Sequence, residues 1–188
     1  MKLSLAERHP MQSILTHKNN RLYSLMLIFS GVVVLSLSSQ VAIPFIPVPM
    51  TLQSAMVLLI GCIYGPRLGA LTVVSYLSAG CLGFPVFANW TSGLSVITSV
   101  TGGYLLGFVP AVIVTGYLME NWLGGSKVKA FLAALIGDAI IFASGLLILA
   151  AVFGLHHAIE YGLMPFIISE PVKLLLVASI APHFWRQR

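Results

Sequence analysis

Long apolar stretches, separated by short breaks rich in glycine, proline and polar residues, dominate the chain. A helix that spans a membrane needs about 20 consecutive apolar residues, with a range of about 17–25. Six stretches reach or approach this length: Leu22–Val41, Leu52–Tyr64, Leu68–Leu82, Gly103–Met119, Ala130–Phe153 and Tyr161–Ala181. The pattern predicts an all-α integral membrane protein built as a bundle of six transmembrane helices.

The apolar stretches also divide the chain into segments. The second and third stretches are shorter than a spanning helix, so tilted, kinked or partly re-entrant helices remain open there. The first stretch follows basic residues, as in a signal peptide, but is longer than the typical apolar region of about 7–15 residues, so we interpret it as a retained helix. We expect a basic N-terminal segment (1–21), a six-helix membrane domain (22–182) and a basic tail (183–188).

Basic residues lie at the ends of the apolar stretches and indicate their orientation. If the N-terminus is cytoplasmic and the chain crosses six times, nine of the ten lysines and arginines fall on the cytoplasmic side, and Lys173 lies within the sixth stretch. The nine are Lys2, Arg8, Lys18, Arg21, Arg67, Lys127, Lys129, Arg186 and Arg188. The positive-inside rule therefore supports six crossings with both termini in the cytoplasm.

The composition agrees with a lipid environment. Of the 188 residues, 58% are hydrophobic and only 8% are charged, whereas an average soluble domain has about 25% charged residues. The net charge of +5 is no indication of nucleic-acid binding, because the basic residues form no single stripe. Cys62 and Cys81 both lie in apolar stretches, and two cysteines at this spacing predict neither a disulfide framework nor a zinc site.

Three connecting segments on the outer side contain much of the candidate chemistry. Ile43–Thr51 holds three prolines, which predict a stiff extended segment. The loop between helices three and four, Gly83–Gly102, has no charged residue and is longer than an ordinary connection. Because disorder favours charged segments poor in aromatic residues, we expect this loop to be a packed lid. Gly154–Glu160 contains His156 and His157, which we interpret as surface residues.

Glu170 and Lys173 are the strongest local signal of function. A charge within the hydrocarbon costs about 2.5–3.5 kcal/mol, and the spacing i, i+3 places both side chains on one helix face. Either they form a structural ion pair, or Lys173 binds an anionic ligand group while Glu170 accepts hydrogen bonds from a polar one. Ser169 followed by Pro171 resembles a helix start, which predicts a break in the sixth helix.

Asp138 is a further carboxylate within an apolar stretch. We expect it on the cytoplasmic side of the fifth helix, at the interface or paired with Lys127 or Lys129, with a proton-coupling role as the alternative. The sequence contains no nucleophile elbow, no H-E-x-x-H motif and no Walker A motif. These absences favour a protein that is not an enzyme and uses no cofactor, and any ATPase that drives it must be another chain.

Neutral polar and aromatic residues gather at the helix ends and in the outer loops. Apolar walls with a few placed polar groups are typical of a small-molecule site. The candidates are Gln40, Thr51, Gln53, Asn89 and Tyr104, beside Tyr76, Phe87 and Trp90.

Glycines recur at four-residue spacing at Gly61, Gly65 and Gly69, and at Gly103 and Gly107. This spacing allows membrane helices to approach closely. We expect it to serve packing within the bundle, and a docking face for another membrane subunit is the alternative.

Four segments of the chain resemble signatures of the BioY family, the biotin-specific S components of energy-coupling-factor (ECF) transporters. They occur in the family's order within residues 22–182 and are Ser39–Gln53, Gly83–Ala88, Thr101–Gly107 and Pro165–Lys173. The resemblance implies a six-helix bundle in the bacterial inner membrane that holds biotin under the loop between helices three and four. It also implies two kinds of partner, a transmembrane coupling subunit and a pair of ABC ATPases.

The resemblance also indicates site residues. The family's Gly-Asp-x-x-Lys site falls on Ser169, Glu170 and Lys173, where the lysine matches, the acid is one methylene longer and serine replaces glycine. Asn89 lies where the family has polar ligand contacts, although the neighbouring Trp90 departs from the family's glycine-rich pattern.

The remaining correspondences concern both the site and the docking surface. Gln53, Phe87 and Tyr104 fall within the matched signatures, and we expect them at the site. In the first helix, the alanine pair with which S components usually dock the coupling subunit is replaced by Val32 and Ser36. Docking that tolerates valine, a different partner and more independent function all remain open.

Two other functions are considered beside the biotin S component. The first is a solitary carrier for biotin or another small carboxylated solute, which uptake by this chain alone in liposomes would favour. The second is a membrane scaffold that only binds proteins, for which changes in the loop between helices three and four and at Lys173 would have no effect.

Overall fold

The computed structural model describes residues 21–121 and 126–184. The helices are α1 (Arg21–Gln40), α2 (Gln53–Cys81), α3 (Leu94–Ile97), α4 (Gly102–Asn121), α5 (Lys127–Phe153), α6 (Leu155–Gly162) and α7 (Ser169–Ile180). Two short strands, β1 (Ala42–Ile43) and β2 (Met50–Thr51), join α1 to α2, and 3₁₀ turns form at Ala88–Trp90, Met164–Phe166 and Ala181–Phe184. The N-terminal segment 1–20 and most of the predicted tail lie outside the described residues.

Helix α2 consists of two arms that fold back on each other. Gly65 has φ 78° and ψ 177°, which no helix accommodates, and Pro66 follows it. The side-chain amide of Gln53, in the first arm, donates a hydrogen bond of 2.7 Å to the hydroxyl of Tyr76 in the second. In a straight helix these residues would be about 35 Å apart, at 1.5 Å per residue. The arms therefore run antiparallel and match the second and third apolar stretches.

Several helices are long and apolar enough to cross a membrane. In the described part of the chain these are α1, α2, α4 and α5, and the bent pair formed by residues 155–166 and 169–184 is a fifth candidate. The two halves of this pair meet at 48°, which confirms the predicted break in the last span. Helix α7 starts at Ser169, although the capping position is Ile168 and makes no side-chain capping bond.

Glycines bring the central helices into close contact. A Cβ atom on Gly61 would lie 2.9 Å from the carbonyl oxygen of Val112 in α4. A Cβ on Gly103 would lie 2.7 Å from the carbonyl oxygen of Ser144 in α5. Helix α4 is therefore held tightly between α2 and α5, which confirms packing within the bundle as a role of this spacing. Gly65 serves the turn of α2 instead.

The segment between α1 and α2 is extended, as its prolines predict. Strands β1 and β2 pair antiparallel, with Ala42 opposite Thr51 and Ile43 opposite Met50. The peptide bond between Ile46 and Pro47 is cis. This hairpin closes one side of the cavity described below.

The segment 154–160 differs from the prediction. It was expected to be a loop, but helix α6 occupies Leu155–Gly162. Gly154, with φ 83°, turns the chain immediately after α5, so the new helix needs no separate linker. His156 and Glu160 are exposed on α6, whereas Ala158 is buried, so the histidines lie at the surface as expected.

Replacing Gly65 with alanine is expected to destabilise the fold, because its backbone conformation is almost restricted to glycine and costs a side chain about 1–3 kcal/mol. The midpoint of thermal unfolding in detergent should fall by at least about 2 °C. Ser78→Ala, on the exposed face of the second arm, is the control and should leave the midpoint unchanged. Equal midpoints for Gly65→Ala and the wild type would contradict the hairpin geometry.

Candidate functional site

A cavity of about 380 Å³ lies between the β1–β2 hairpin, the start of α2, the segment 83–101 and the first turns of α4. We call the segment 83–101 the lid. The cavity's apolar lining is Pro47, Val48, Pro49, Phe87, Ala88, Val96, Val100, Leu105 and Phe108. Its polar lining is neutral throughout and comprises Thr51, Gln53, Asn89, Thr91, Ser95, Ser99, Thr101 and Tyr104. The volume is within the range of about 300–1,000 Å³ that is usual for small-molecule sites.

The lid is anchored at its base by hydrogen bonds and one aromatic side chain. The carbonyl oxygen of Val86 accepts bonds from the Ser39 hydroxyl at 2.8 Å and the Tyr76 hydroxyl at 3.0 Å. The Phe87 ring is 1% exposed and meets Tyr76 edge to face, with centroids 5.5 Å apart. The ring packs directly against Gly80, and a side chain on any larger residue at position 80 would overlap it. The base of the lid, at Val86 and Phe87, is therefore anchored to the ends of α1 and α2.

Beyond this base the lid makes a tight turn in the left-handed region. Asn89 has φ 56° and Trp90 has φ 58°. Asn89 lines the cavity together with Gln53, Phe87 and Tyr104, so the structure brings four of the predicted site residues together. Trp90, in contrast, is not part of the lining and is 63% exposed.

The predicted charged pair, Glu170 and Lys173, is absent from the cavity lining. The Lys173 ammonium is 2.7 Å from Oε1 of Glu170 and donates a bond of 3.2 Å to the Ser54 hydroxyl. Their side chains are only 11% and 9% exposed. Ser54 follows the lining residue Gln53 on α2, so adjacent residues of this helix contact the ion pair and the cavity. Glu170 also lies in the first turn of α7, where the helix dipole stabilises a negative charge.

Ser54 is a partner of the charged pair that the sequence analysis missed. It stands at the start of an apolar stretch, where a serine is easily taken for a helix cap. Its hydroxyl instead faces a lysine 119 residues further along the chain. The polar lid residues Ser95 and Ser99 were also missed, because no pattern separates them from ordinary loop residues.

The expected pairing of Asp138 with Lys127 or Lys129 is wrong. Its side chain is 6% exposed and interacts electrostatically with Glu170 and Lys173, not with the expected Lys127 or Lys129. The reason is helix geometry, since nine residues separate it from Lys129 and correspond to about 13 Å along α5. Oδ1 of Asp138 has no hydrogen-bond partner among the described residues. The buried cluster therefore holds two carboxyl groups and one ammonium group.

Tyr104 joins the cavity to the break in the last span. Its hydroxyl donates a bond of 2.9 Å to the carbonyl oxygen of Gly162, at the end of α6. Its ring meets Phe142 edge to face at 5.7 Å and stacks on Phe166 at 6.5 Å. The bond satisfies a helix-end carbonyl that α6 leaves open. The Tyr104 side chain therefore lines the cavity and also contacts the chain just before α7.

Comparison with known proteins identifies the family. A sequence profile described as the BioY family matches residues 11–188. The chain belongs to the BioY family. A probable biotin transporter BioY from Rickettsia prowazekii is 34% identical over 166 residues, which cover 86% of this chain and 83% of that relative. The biotin transporter BioY from Thermotoga maritima is 36% identical over 160 residues, which cover 82% and 89%.

A solved structure shares the fold of this BioY chain. The crystal structure of the S-component for biotin from an ECF-type ABC transporter superposes with a TM-score of 0.82. The match covers 92% of this chain and 96% of that chain at 19% sequence identity. Together with the long apolar helices, these relatives show a multi-pass membrane protein with the S-component fold.

Replacing Lys173 with methionine is expected to destabilise the ligand-free protein, because two buried carboxyl groups lose their cation. Breaking a buried ion pair typically costs about 3–5 kcal/mol. The double variant Glu170→Gln with Lys173→Met should recover at least half of the lost thermal midpoint in detergent, since one unpaired carboxylate is removed. If the double variant is no more stable than Lys173→Met, the stabilising ion pair between Glu170 and Lys173 is contradicted.

Proposed function

We propose that this BioY chain is the substrate-binding S component of an ECF transporter and captures biotin. The observation that carries the proposal is a neutral, partly apolar cavity whose lining residue Gln53 is followed on α2 by Ser54, the hydrogen-bond partner of the buried cation Lys173. Family membership supports it, since the relatives are named as biotin transporters. These names also agree with the expectation that the protein is not an enzyme.

Biotin carries a valerate carboxylate, and Lys173 is suited to bind it. A lysine ammonium has three N–H donors, and Glu170 and Ser54 engage two of them. The third is available to a carboxylate that reaches past Gln53 from the cavity. A charge-assisted hydrogen bond in such a buried site is stronger than one between neutral groups.

The ring system of biotin fits the rest of the cavity. Its ureido group offers two N–H donors and one carbonyl acceptor, which the neutral polar residues of the lining can complement. Asn89 provides both a donor and an acceptor and lies on the wall formed by the lid. The apolar thiophane ring packs against Phe87, Val100 and Phe108 on the same lining.

The fold supports six membrane crossings. Helix α1, the two arms of α2, helices α4 and α5, and the broken unit α6–α7 make six passes. The turn between the arms carries Arg67, which is exposed. Six passes place it on the same side as Arg21, Lys127 and Lys129, and the positive-inside rule assigns that side to the cytoplasm. The cavity and lid then face outward from the inner membrane.

Transport requires partners on other chains. The solved relative is described as part of an ECF-type ABC transporter, and the 188 residues contain no Walker A motif. We therefore infer a transmembrane coupling subunit and ABC ATPases as partners. Val32 and Ser36, the positions aligned with the family's docking pair, are half-buried on α1, so neighbouring lipid-facing residues of this helix must share in the contact.

Replacing Lys173 or Glu170 with alanine is expected to weaken biotin binding at least tenfold, which corresponds to about 1.4 kcal/mol. The reason is that one variant loses the cation for the carboxylate, and the other loses the acceptor that orients that cation. Calorimetric titration in detergent measures both affinities.

Ser179→Ala is the matched control for these variants, because it removes a hydroxyl from an exposed position on the same helix. It should bind like the wild type. Glu170→Gln, which keeps the size of the side chain, guards against loss of fold in the alanine variant. Wild-type affinity in both alanine variants would exclude the charged pair from the binding site.

A further inference from the structure

Gln40, the last residue of α1, forms hydrogen bonds with the lid backbone through both the oxygen and the nitrogen of its side-chain amide. Its Oε1 accepts a hydrogen bond of 3.0 Å from the backbone N–H of Trp90. Its Nε2 donates a bond of 2.9 Å to the carbonyl oxygen of Phe87. A second bond from Nε2, to the Ser39 hydroxyl at 2.9 Å, fixes the amide against α1. The partners require this orientation, because one is a donor and the other an acceptor.

The backbone between these two contacts is the strained part of the lid. Asn89 and Trp90 both adopt left-handed conformations, which asparagine tolerates better than most residues but which are unfavourable for a bulky residue such as tryptophan. Such conformations persist only where the surrounding structure imposes them. Packing does not impose this one, since both side chains are exposed.

The hydrogen bonds within the turn leave two backbone groups for the amide of Gln40. Phe87 donates its N–H to the carbonyl of Thr91 at 3.1 Å, and Thr91 returns a bond to Ala88 at 3.2 Å. These bonds close the ends of the loop but do not involve the N–H of Trp90 or the carbonyl of Phe87. Gln40 supplies the missing partners on either side of Asn89.

We propose that Gln40 is a positioning residue for the ligand site, holding the turn at Asn89 and Trp90 in its left-handed form so that Asn89 forms cavity wall. The inference rests on the proposed function only in taking biotin as the ligand. Without the amide, the turn relaxes toward extended conformations and Asn89 leaves the wall. The effect on binding then passes through Asn89, because Gln40 itself is absent from the cavity lining.

A double-mutant cycle tests this coupling. Gln40→Met keeps the length of the side chain and removes both hydrogen bonds, and it should weaken biotin binding about tenfold by calorimetry. Asn89→Ala should weaken binding by a similar factor. The double variant should bind biotin no more weakly than the single variant with the lower affinity, because Gln40 acts on binding through Asn89.

Two further variants separate positioning from general destabilisation. Gln40→Glu retains the acceptor for Trp90 but sets a carboxylate oxygen against the Phe87 carbonyl, so it should lose about as much affinity as Gln40→Met. Thr98→Val removes a hydroxyl elsewhere in the lid, where it bonds only the local backbone carbonyls of Leu94 and Ser95. This control should keep wild-type affinity.

Hydrogen exchange of the ligand-free protein provides a readout that does not depend on biotin. Gln40→Met should accelerate exchange in peptides that cover residues 86–91 at least tenfold, whereas Thr98→Val should not. If the wild type fails to bind biotin while exchange responds as expected, the proposed function fails and the positioning role stands. Unchanged exchange, unchanged affinity in Gln40→Met, or fully additive losses in the double variant would overturn the role of Gln40.

Discussion

The structure depends on keeping charges neutralised inside an apolar bundle. Glu170 and Lys173 lie in a helix that packs among apolar helices, with nine-tenths of each side chain buried. Each charge alone would cost several kcal/mol in hydrocarbon. Their contact at 2.7 Å and the Ser54 hydroxyl compensate this cost, and the start of α7 adds a favourable dipole for the carboxylate. The break between α6 and α7 thus contributes a smaller, third source of stabilisation for the charged pair.

The neutral cavity lining is ordered in a different way from the charged pair. The lid must be ordered enough to form a wall, yet no charged residue of the described chain lies in the cavity lining. Order comes instead from hydrogen bonds that join three elements: α1 through Ser39 and Gln40, α2 through Tyr76, and the lid backbone. Tyr104 connects this wall to the end of α6, through its bond to the Gly162 carbonyl.

Features that depend on local sequence were predictable. Apolar length predicted the main helices, prolines predicted the extended hairpin, and Ser169 with Pro171 predicted the break before α7. Features set by tertiary geometry were not. The sequence does not show that Asp138 approaches Glu170, because the expected lysines are closer in the chain but about two helical turns or more away in space. Similarly, the sequence does not show that Trp90 is exposed in a left-handed conformation, which is uncommon for a bulky residue.

Calorimetric titration of the detergent-purified chain with biotin tests the central claim most directly, with desthiobiotin and thiamine as comparisons. The account predicts tight binding of biotin at one site per chain, weaker binding of desthiobiotin and none of thiamine. A folded sample that binds no biotin would contradict the account. The differences from the family's pattern at Ser169 and Glu170 would then indicate a different small carboxylated ligand.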